Sequence, residues 1–332
     1  MKRFFSLLLG AWLLGTGLLG APAAAEPLEL RVMIFNIWLG GDQVAMTKTL
    51  EAIEQADADL VLLQEPEGNT AMIGAALGYA YVAPRHHTLS RFPLFDTGAL
   101  LFAEVRPGKF VVVANVHLDW TDYGPYAARD GRAAEEILAV ETANRLSGIA
   151  PVIALLEPLA AAGMPAIIGG DFNSPGDDWT EALLGSRPHI RFPLAWPAAK
   201  AVRDAGYQDT WRTAHPDALA NPGITWSWGY PQPLLWENET QDRIDLLFAR
   251  NATVEAAQIV GGAGLPDVGI AVTPFPSDHQ AVVATLALEG TTAPTMIVPV
   301  APAVTQGQPV LLRYRVVGIE GGRLDGGWIE LL

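Results

Sequence analysis

Short apolar runs that end abruptly in polar residues recur along the chain from Glu29 onward. Runs rich in valine, isoleucine and leucine are typical of buried β-strands. Amides, carboxylates and imidazoles stand at or just beside the ends of these runs, where functional side chains of a sheet commonly gather. We therefore predict strands over 30–35, 60–63, 110–114, 166–170, 243–248 and 281–286.

Helical patterns lie between the predicted strands. Apolar residues recur on one face of two segments, and a third segment, rich in alanine and leucine, follows Pro151. A hairpin-like stretch turns at 106–108. This mixture fits two packed mixed sheets with outer helices. The predicted helices are 46–56, 129–146 and 152–162, and the predicted hairpin is 100–116.

Two further segments have a distinct composition. Residues 189–241 are rich in proline, tryptophan and glycine, which predicts long surface loops with short elements, the usual place for substrate contacts. Residues 290–294 have the composition of a linker. Beyond it, 310–317 and 328–332 are predicted strands, too few for an independent β-sandwich.

The N-terminus accounts for part of the 50% apolar composition. Lys2 and Arg3 precede an almost wholly apolar run, 4–21, and the alanines at 23–25 form a small-residue cleavage pattern. We therefore predict a signal peptide over residues 1–25, cleaved after Ala25, and a secreted or periplasmic protein; an uncleaved membrane anchor is the alternative. Because no other stretch approaches the length of a membrane span, we expect no stable membrane insertion after signal cleavage. We also expect a monomer.

The composition excludes several kinds of site. The 332 residues include no cysteine, which excludes disulfide scaffolds, thiolate-bound zinc, iron–sulfur clusters and cysteine nucleophiles. The formal net charge is −15; without Lys2 and Arg3, 19 basic residues face 36 acidic ones, and the net charge becomes −17. This balance argues against a protein held on nucleic acid by its general charge.

Carboxylates gathered at one rim of the sheets need a compensating cation, because they repel one another and resist ionising without it. Oxygen ligands without thiolates suit Mg²⁺, with Mn²⁺ or Ca²⁺ as alternatives, rather than zinc. A metal in a cleft with two imidazoles nearby is suited to phosphoryl transfer to water. The predicted rim contains Asn36, Glu65, His117, Asp171, Asn173, Asp245, Asp278 and His279.

Six short motifs stand in a recognisable order. They resemble, in order and approximate spacing, the endonuclease/exonuclease/phosphatase superfamily, whose fold is that of DNase I. The resemblance covers about residues 29–288 and implies an α+β fold, a four-layer αββα sandwich of two mixed β-sheets. We expect a catalytic domain over 26–289, and a linker and short β tail over 290–332. The motifs are Phe35-Asn36, Leu63-Gln64-Glu65, Asn115-Val116-His117-Leu118, Gly170-Asp171-Phe172-Asn173, Arg243-Ile244-Asp245 and Ser277-Asp278-His279.

The resemblance also implies a role for each matched residue. Glu65 would be the main metal ligand with Asn36 beside it, and Asp278 would take part in the metal site or in the water network. Asp171 would orient or deprotonate the attacking water. Asn173 would donate a hydrogen bond to the phosphate. These assignments imply a metal-dependent hydrolase of phosphoric ester bonds.

Histidines complete the implied site. His279 would donate to the scissile phosphate, with its tautomer fixed by Asp245. His117 would contact the phosphate or assist the leaving group. Arg129, shortly after the His117 motif, is a candidate phosphate contact, with a position on a helix surface as the alternative.

The substrate is predicted from charge. A nuclease must lay a polyanion along its cleft, and the acidic chain has no cluster of lysine or arginine after residue 25. A phosphodiester or phosphomonoester of a small or lipid-type molecule needs only the local metal and one or two arginines. We therefore favour such a substrate over nucleic acid. A DNase I-like endonuclease is the alternative, and a catalytically inactive secreted binding protein on the same fold is an alternative of another class.

Overall fold

The structure is a computed structural model, and it describes residues 28–176 and 178–288 with two short strands at 297–299 and 314–316. These two strands pair with each other in antiparallel fashion. The signal peptide predicted over 1–25, the linker predicted over 290–294 and the strand predicted over 328–332 lie outside the described residues. Of the strand predicted over 310–317, the described residues are 314–316. All six motifs lie within them.

Strands and helices alternate along the chain. The strands are β1 (Leu28–Asn36), β2 (Leu60–Gln64), β3 (Tyr81–Ala83), β4 (Thr88–Ser90), β5 (Leu94–Asp96), β6 (Leu101–Arg106), β7 (Lys109–His117), β8 (Ala166–Asp171), β9 (Gln208–Asp209), β10 (Asp245–Arg250), β11 (Thr253–Gly262), β12 (Val268–Val272), β13 (Ala281–Leu288), β14 (Ile297–Pro299) and β15 (Tyr314–Val316). The helices are α1 (Met46–Ala56), α2 (Thr70–Leu77), α3 (Gly124–Arg129), α4 (Ala134–Glu141), α5 (Ser147–Ala161), α6 (Pro197–Asp204) and α7 (Thr210–Ala214). A π-helical turn, Thr142–Leu146, joins α4 to α5.

Two mixed sheets pack face to face. Sheet I has seven strands in the order β12-β11-β13-β1-β2-β4-β3, and sheet II has six in the order β5-β6-β7-β8-β10-β9. Their facing sides bury one apolar core, in which Leu30 and Ile34 of sheet I lie with Val113 and Leu247 of sheet II. Because successive side chains of a strand point to opposite faces, the remaining apolar positions need cover on the outer faces.

Helices provide that cover on both outer faces. A cluster that includes Ile53 of α1 and Ile73 of α2 packs on sheet I. Another cluster, with Leu156 of α5 and Val202 of α6, packs on sheet II. The layers therefore run helix, sheet, sheet, helix, and the predicted αββα fold is confirmed.

The longest helix departs from the sequence prediction. Helices were predicted over 129–146 and after Pro151, but one unbroken helix runs from Ala134 to Ala161 with Pro151 inside it. Proline lacks the N–H that a helix interior requires and usually ends the helix. Here Ile149 and Leu156 pack on sheet II on both sides of it. Tertiary packing therefore outweighs the local preference of proline.

This helix also corrects the expectation that only the leader approaches the length of a membrane span. It has 28 residues and is long and apolar enough, by length and composition, to cross a membrane. A core helix of a soluble protein meets the same criteria. In this structure the helix packs on sheet II and contains two buried titratable side chains, Glu141 and Arg145, 3.7 Å apart. Length and composition therefore do not assign it to a membrane.

Candidate active site

Three neighbouring strands of sheet II bring His117, Asp171 and Asp245 side by side. His117, at the end of β7, lies opposite Asp171 of β8. Asp245, the first residue of β10, lies opposite Asp171 on its other side. Directly opposed residues have their side chains on one face of a sheet. The strand register therefore assembles this part of the site, with His117 Nε2 3.6 Å from Asp171 Oδ2.

Sheet I brings Asn36 and Glu65 to the same edge. Asn36 ends β1 opposite Gln64, and Glu65 follows directly. Asn36 Nδ2 donates to Glu65 Oε1 at 3.1 Å and to Asp171 Oδ2 at 3.0 Å. Glu65 adopts a left-handed backbone conformation, with φ of 54°, which is uncommon for residues other than glycine and clusters at functional sites. Asn36 thus bridges carboxylates of the two sheets.

Gly170 allows β7 and β8 to approach each other immediately before Asp171. Its φ is +143°, and a Cβ added there would lie 1.9 Å from the carbonyl oxygen of Val116. Because no side chain fits at that distance, the glycine of the Gly170-Asp171 motif is a steric requirement of the strand pairing that positions the acid.

Asp245 holds His279 in place. The Nδ1 atom of His279 lies 2.9 Å from Asp245 Oδ2, and both side chains are buried. Ser277 Oγ accepts from the His279 backbone N–H at 3.1 Å and donates to the Asn36 carbonyl at 2.7 Å. The other ring nitrogen, Nε2, lies 3.7 Å from Asp171 Oδ2. The imidazole therefore stands between two carboxylates.

Burial and crowded charges shift the pKa values of this site. Burial raises the pKa of Asp171 to about 6, although the nearby His279 opposes the shift. Burial alone would lower the pKa of His279, but the carboxylates around it, Asp245 first, outweigh burial and raise this pKa well above its ordinary value. Burial and the charge of Glu65 raise the pKa of Asp278. The carboxylates around His279 therefore favour its protonated form.

The donor set fits a hard divalent cation. Donor atoms of Asp171, Asp245 and His279 lie within 4.8 Å of one another; the two carboxylates supply hard oxygen donors, whereas Nδ1 of His279 is occupied by Asp245. Asp245 Oδ1 is buried and has no hydrogen-bond partner among the described residues. Burial first, and neighbouring carboxylates after it, raise the pKa values of Asp171 and Asp278, and a bound cation would favour their ionised forms.

The predicted metal ligands lie next to this cluster rather than within it. Glu65 and Asn36 reach it through the hydrogen bond from Asn36 to Asp171. Asp278 is buried and accepts a hydrogen bond from the Trp226 side chain. The structure thus places carboxylate oxygens on both sides of Asn36, and the assignment of Glu65, Asn36 and Asp278 as the ligands stays a prediction.

Asn173 lies in the loop that follows β8. Its backbone N–H donates to Asp171 Oδ1 at 2.8 Å, and its Nδ2 donates to the Leu118 carbonyl at 3.1 Å. From the π-helical turn, Arg145 Nε donates to the Asn173 carbonyl at 3.2 Å. Such turns occur frequently at functional sites. Here the turn supports the loop that presents Asn173 to the site.

A cavity of about 340 Å³ opens in front of these groups. One wall is aromatic: the Trp226 ring lies 5.4 Å from Tyr123 and 6.2 Å from His279, measured between centroids. Within the part of the chain that the structure describes, no lysine or arginine lines the cavity. Apolar ring surface thus lies beside the polar groups. The lining residues are Glu65, His117, Trp120, Tyr123, Tyr126, Asp171, Asn173, Trp226, Ile244 and His279.

A buried network behind the aromatic wall was missed by sequence reasoning. His189 Nε2 lies 2.9 Å from Asp242 Oδ1, and the Tyr123 hydroxyl donates to Asp242 Oδ2 at 3.3 Å. The backbone of Asp242 also forms a β-bridge with Trp226. One acid therefore positions two rings of the wall. Its place directly before the Arg243-Ile244-Asp245 motif is the only signal in the sequence.

Arg129 is the one predicted site residue that the structure leaves outside this group. Its Nε donates to Asp130 Oδ1 at 2.7 Å and its Nη1 donates to the Asn238 carbonyl at 3.3 Å. Its guanidinium carbon lies 4.5 Å from the centroid of the Tyr126 ring, and Arg129 does not line the cavity. A phosphate contact by Arg129 stays a prediction.

Comparison with known proteins gives similarity over most of the chain. The profile of the Endonuclease/Exonuclease/phosphatase family matches residues 33–279. The uncharacterized protein F14F9.5 of Caenorhabditis elegans is 32% identical over 293 residues, covering 77% of this chain and 90% of that protein. The match to the family profile extends from β1 to His279 and includes the candidate site.

Solved structures are similar at low sequence identity. An endonuclease/exonuclease/phosphatase from Beutenbergia cavernae is 18% identical, with a TM-score of 0.47, 82% of this chain covered and 73% of that one. An AP endonuclease from Archaeoglobus fulgidus is 15% identical, with a TM-score of 0.45, 77% of this chain covered and 98% of that one. Because the family profile matches well over half of its residues, the chain belongs to the endonuclease/exonuclease/phosphatase family.

Proposed function

We propose that the protein is a secreted, divalent-metal-dependent phosphoesterase that acts on a small or lipid-type phosphoester. Its family consists of phosphoesterases and nucleases. The lining of the cavity is the observation that supports this class of substrate. Its described lining residues include several aromatic rings and no lysine or arginine. A nucleic acid would bring flanking phosphates, and proteins bind those with cationic side chains.

The residues of the site support hydrolysis by in-line attack of water. Asp171, ionised at neutral pH, would take a proton from the attacking water. His279 would donate from Nε2 to a phosphate oxygen while Asp245 holds Nδ1, and Asn173 would donate from its amide. A divalent ion held by Glu65, Asn36 and Asp278 would neutralise charge on the phosphate oxygens.

The leaving group needs a proton as the ester bond breaks. His117 lines the cavity, its side chain is 35% exposed, and its Nε2 lies 3.6 Å from Asp171. We infer that His117 would supply this proton, since its imidazole reaches the cavity. The inactive binding-protein alternative is disfavoured, since Glu65 and the Asp245–His279 pair, which an inactive relative has no need to keep, are all present.

The test is hydrolysis of a panel of substrates with Mg²⁺ or Mn²⁺: a soluble phosphodiester, a phosphomonoester, a phospholipid and plasmid DNA. We expect turnover of the small or lipid esters and its loss in Asp171→Ala, with Asp204→Ala on the surface of α6 as the control. If none of the four substrates is hydrolysed in a metal-dependent way, the proposal that the protein is a phosphoesterase is wrong. Plasmid cleavage that Asp171→Ala abolishes would instead favour the endonuclease.

Secretion has its own test. The protein is purified from the periplasm or the medium, and its N-terminal residue is determined. A mature chain that begins at Glu26 supports the proposal. An intact Met1 contradicts cleavage after Ala25.

A further inference from the structure

Large apolar side chains are exposed around the mouth of the cavity. The backbone N–H of Leu39 donates to the Glu65 carboxylate, and Trp120 lines the cavity itself. Exposed tryptophans and leucines scattered singly need no explanation, but a group of them at one functional opening does. The exposed fractions are 53% for Leu39, 73% for Trp120, 63% for Leu234, 42% for Leu235 and 65% for Trp236.

Ring contacts join Trp236, Tyr230 and Trp38 at the edge of the cavity, and Leu39, Leu234 and Leu235 are neighbours of these rings in the chain. The Tyr230 ring lies 4.9 Å from Trp236, 6.4 Å from Trp38 and 6.0 Å from Trp226, measured between centroids. Trp226 lines the cavity. The apolar surface is therefore continuous from the exposed loop to the catalytic groups. We call it the rim patch, formed by Trp38, Leu39, Tyr230, Leu234, Leu235 and Trp236.

The charges beside the rim patch are mostly acidic, with Arg129 as the basic exception: its Nη1 donates to the Asn238 carbonyl and its Nε donates to Asp130. The segments 37–45 and 226–242 contain no lysine or arginine, whereas Asp42, Glu237 and Glu239 lie within them. The whole chain has a net charge of −15. This arrangement repels nucleic acid and anionic lipid headgroups. A lipid surface of zwitterionic headgroups has no net charge, so the acidic residues beside the rim patch do not repel it.

We propose that the rim patch docks the enzyme on a lipid surface of zwitterionic headgroups, from which a phospholipid enters the cavity. The proposal rests on the proposed phosphoesterase function. A protein partner or a second copy seated on this patch would obstruct the entrance beside it. A lipid surface covers the patch and delivers the substrate at the same time. Tryptophan and leucine are side chains that bury well at the boundary between headgroups and acyl chains.

The test compares the double variant Leu234→Ala/Trp236→Ala with the control Leu155→Ala/Leu184→Ala, whose two leucines are 42% and 39% exposed and lie outside the rim patch. Sedimentation with phosphatidylcholine vesicles measures binding. We expect the rim variant to bind at least roughly tenfold more weakly than wild type, since each lost side chain removes substantial apolar burial. Hydrolysis of vesicle lipid should fall in parallel, and hydrolysis of soluble bis(p-nitrophenyl) phosphate should not change.

The outcomes separate this inference from the proposed function. A wild-type protein that hydrolyses the soluble diester but does not bind the vesicles overturns the docking alone. Three further results overturn it. The rim variant binds the vesicles as well as wild type does, or the control variant loses binding, or wild type binds phosphatidylglycerol vesicles more strongly than phosphatidylcholine vesicles. A dimer on gel filtration that only the rim variant dissociates assigns the patch to a second copy and also overturns it. A wild-type protein that hydrolyses no phosphoester contradicts the proposed function instead.

Discussion

Asp245 and His279 meet at 2.9 Å although they come from different sheets. Asp245 begins β10 in sheet II, and His279 stands just before β13 in sheet I. The pair therefore forms only when the two sheets pack in their native register. Since the charge of Asp245 is the main reason that the pKa of buried His279 is raised, the proton on His279 depends on the same packing.

Asp245→Asn should lower kcat by about 10² or more, since general acid–base groups typically contribute this much. Asparagine keeps a side chain of similar shape but removes the charge that stabilises the imidazolium. KM should change much less than kcat. Steady-state kinetics on a soluble phosphodiester checks both values. Asp204→Asn on α6 is the control, and an equal loss in both variants would contradict a specific role for Asp245.

Removal of divalent metal should abolish activity, and Glu65→Gln should raise the Mg²⁺ concentration needed for half-maximal rate. A carboxylate binds Mg²⁺ much better than an amide does. The measurement is a titration of Mg²⁺ into protein stripped with EDTA. Glu67→Gln is the matched control, because Glu67 is exposed two residues away. If Glu67→Gln shifts the titration and Glu65→Gln does not, the metal assignment is wrong.

The ends of β1, β2 and β8 could be predicted to within one residue, whereas β7 runs three residues past its predicted end, to His117, and β10 begins two residues after its predicted start, at Asp245. Each apolar run still stops at or shortly before a polar residue of the site. His117 and Asp171 are such residues, and their parallel register follows from the pairing of β7 with β8. The resemblance supplied the layers and the order of the motifs. Local pattern and motif order were therefore sufficient for the fold, and the assignment of the site residues stays a prediction.

The aromatic wall and its support could not be predicted. His189 lies 53 positions from Asp242 in a proline-rich loop, and only the folded loops bring the two together. Trp226 and Tyr123 belong to no periodic apolar pattern of a strand or a helix, so the sequence does not indicate that their rings are in contact. The prediction of two separate helices around Pro151 was wrong for a related reason, since packing on sheet II stabilises one helix through this residue. Each miss depends on long-range packing.

Gly170→Ala should lose more than roughly 3 kcal/mol of the free energy of unfolding, because the new methyl group would overlap a backbone carbonyl that cannot move freely. Gly163→Ala is the matched control: Gly163 also has a positive φ, of +93°, but has nothing within 4 Å of an added Cβ. It should lose only about 1–2 kcal/mol, the usual cost of a left-handed conformation. Urea unfolding measures both. Equal losses would contradict the close approach of β7 and β8.

Glu141, buried under the loop that carries Asn173, should make stability fall as pH rises. Burial raises its pKa to about 7 from an ordinary 4.5, while Arg145 and a 2.8 Å hydrogen bond from Ser174 oppose the shift. Between these two values the folded chain holds a proton that the unfolded chain has released. The free energy of unfolding therefore decreases with increasing pH across that window, by roughly 3 kcal/mol at 1.36 kcal/mol per pKa unit.

Glu141→Gln isolates this contribution, because glutamine resembles the protonated acid at every pH. We expect the variant to be within about 1 kcal/mol of wild type at pH 5, where the titration has only begun, and roughly 3 kcal/mol more stable than wild type at pH 8. Urea unfolding at both pH values measures the difference between the two proteins, which cancels the other titrating groups. A difference that does not change with pH would mean that Glu141 is already ionised in the folded protein at pH 5, held so by Arg145. The ion pair, rather than burial, would then determine the charge beneath the Asn173 loop.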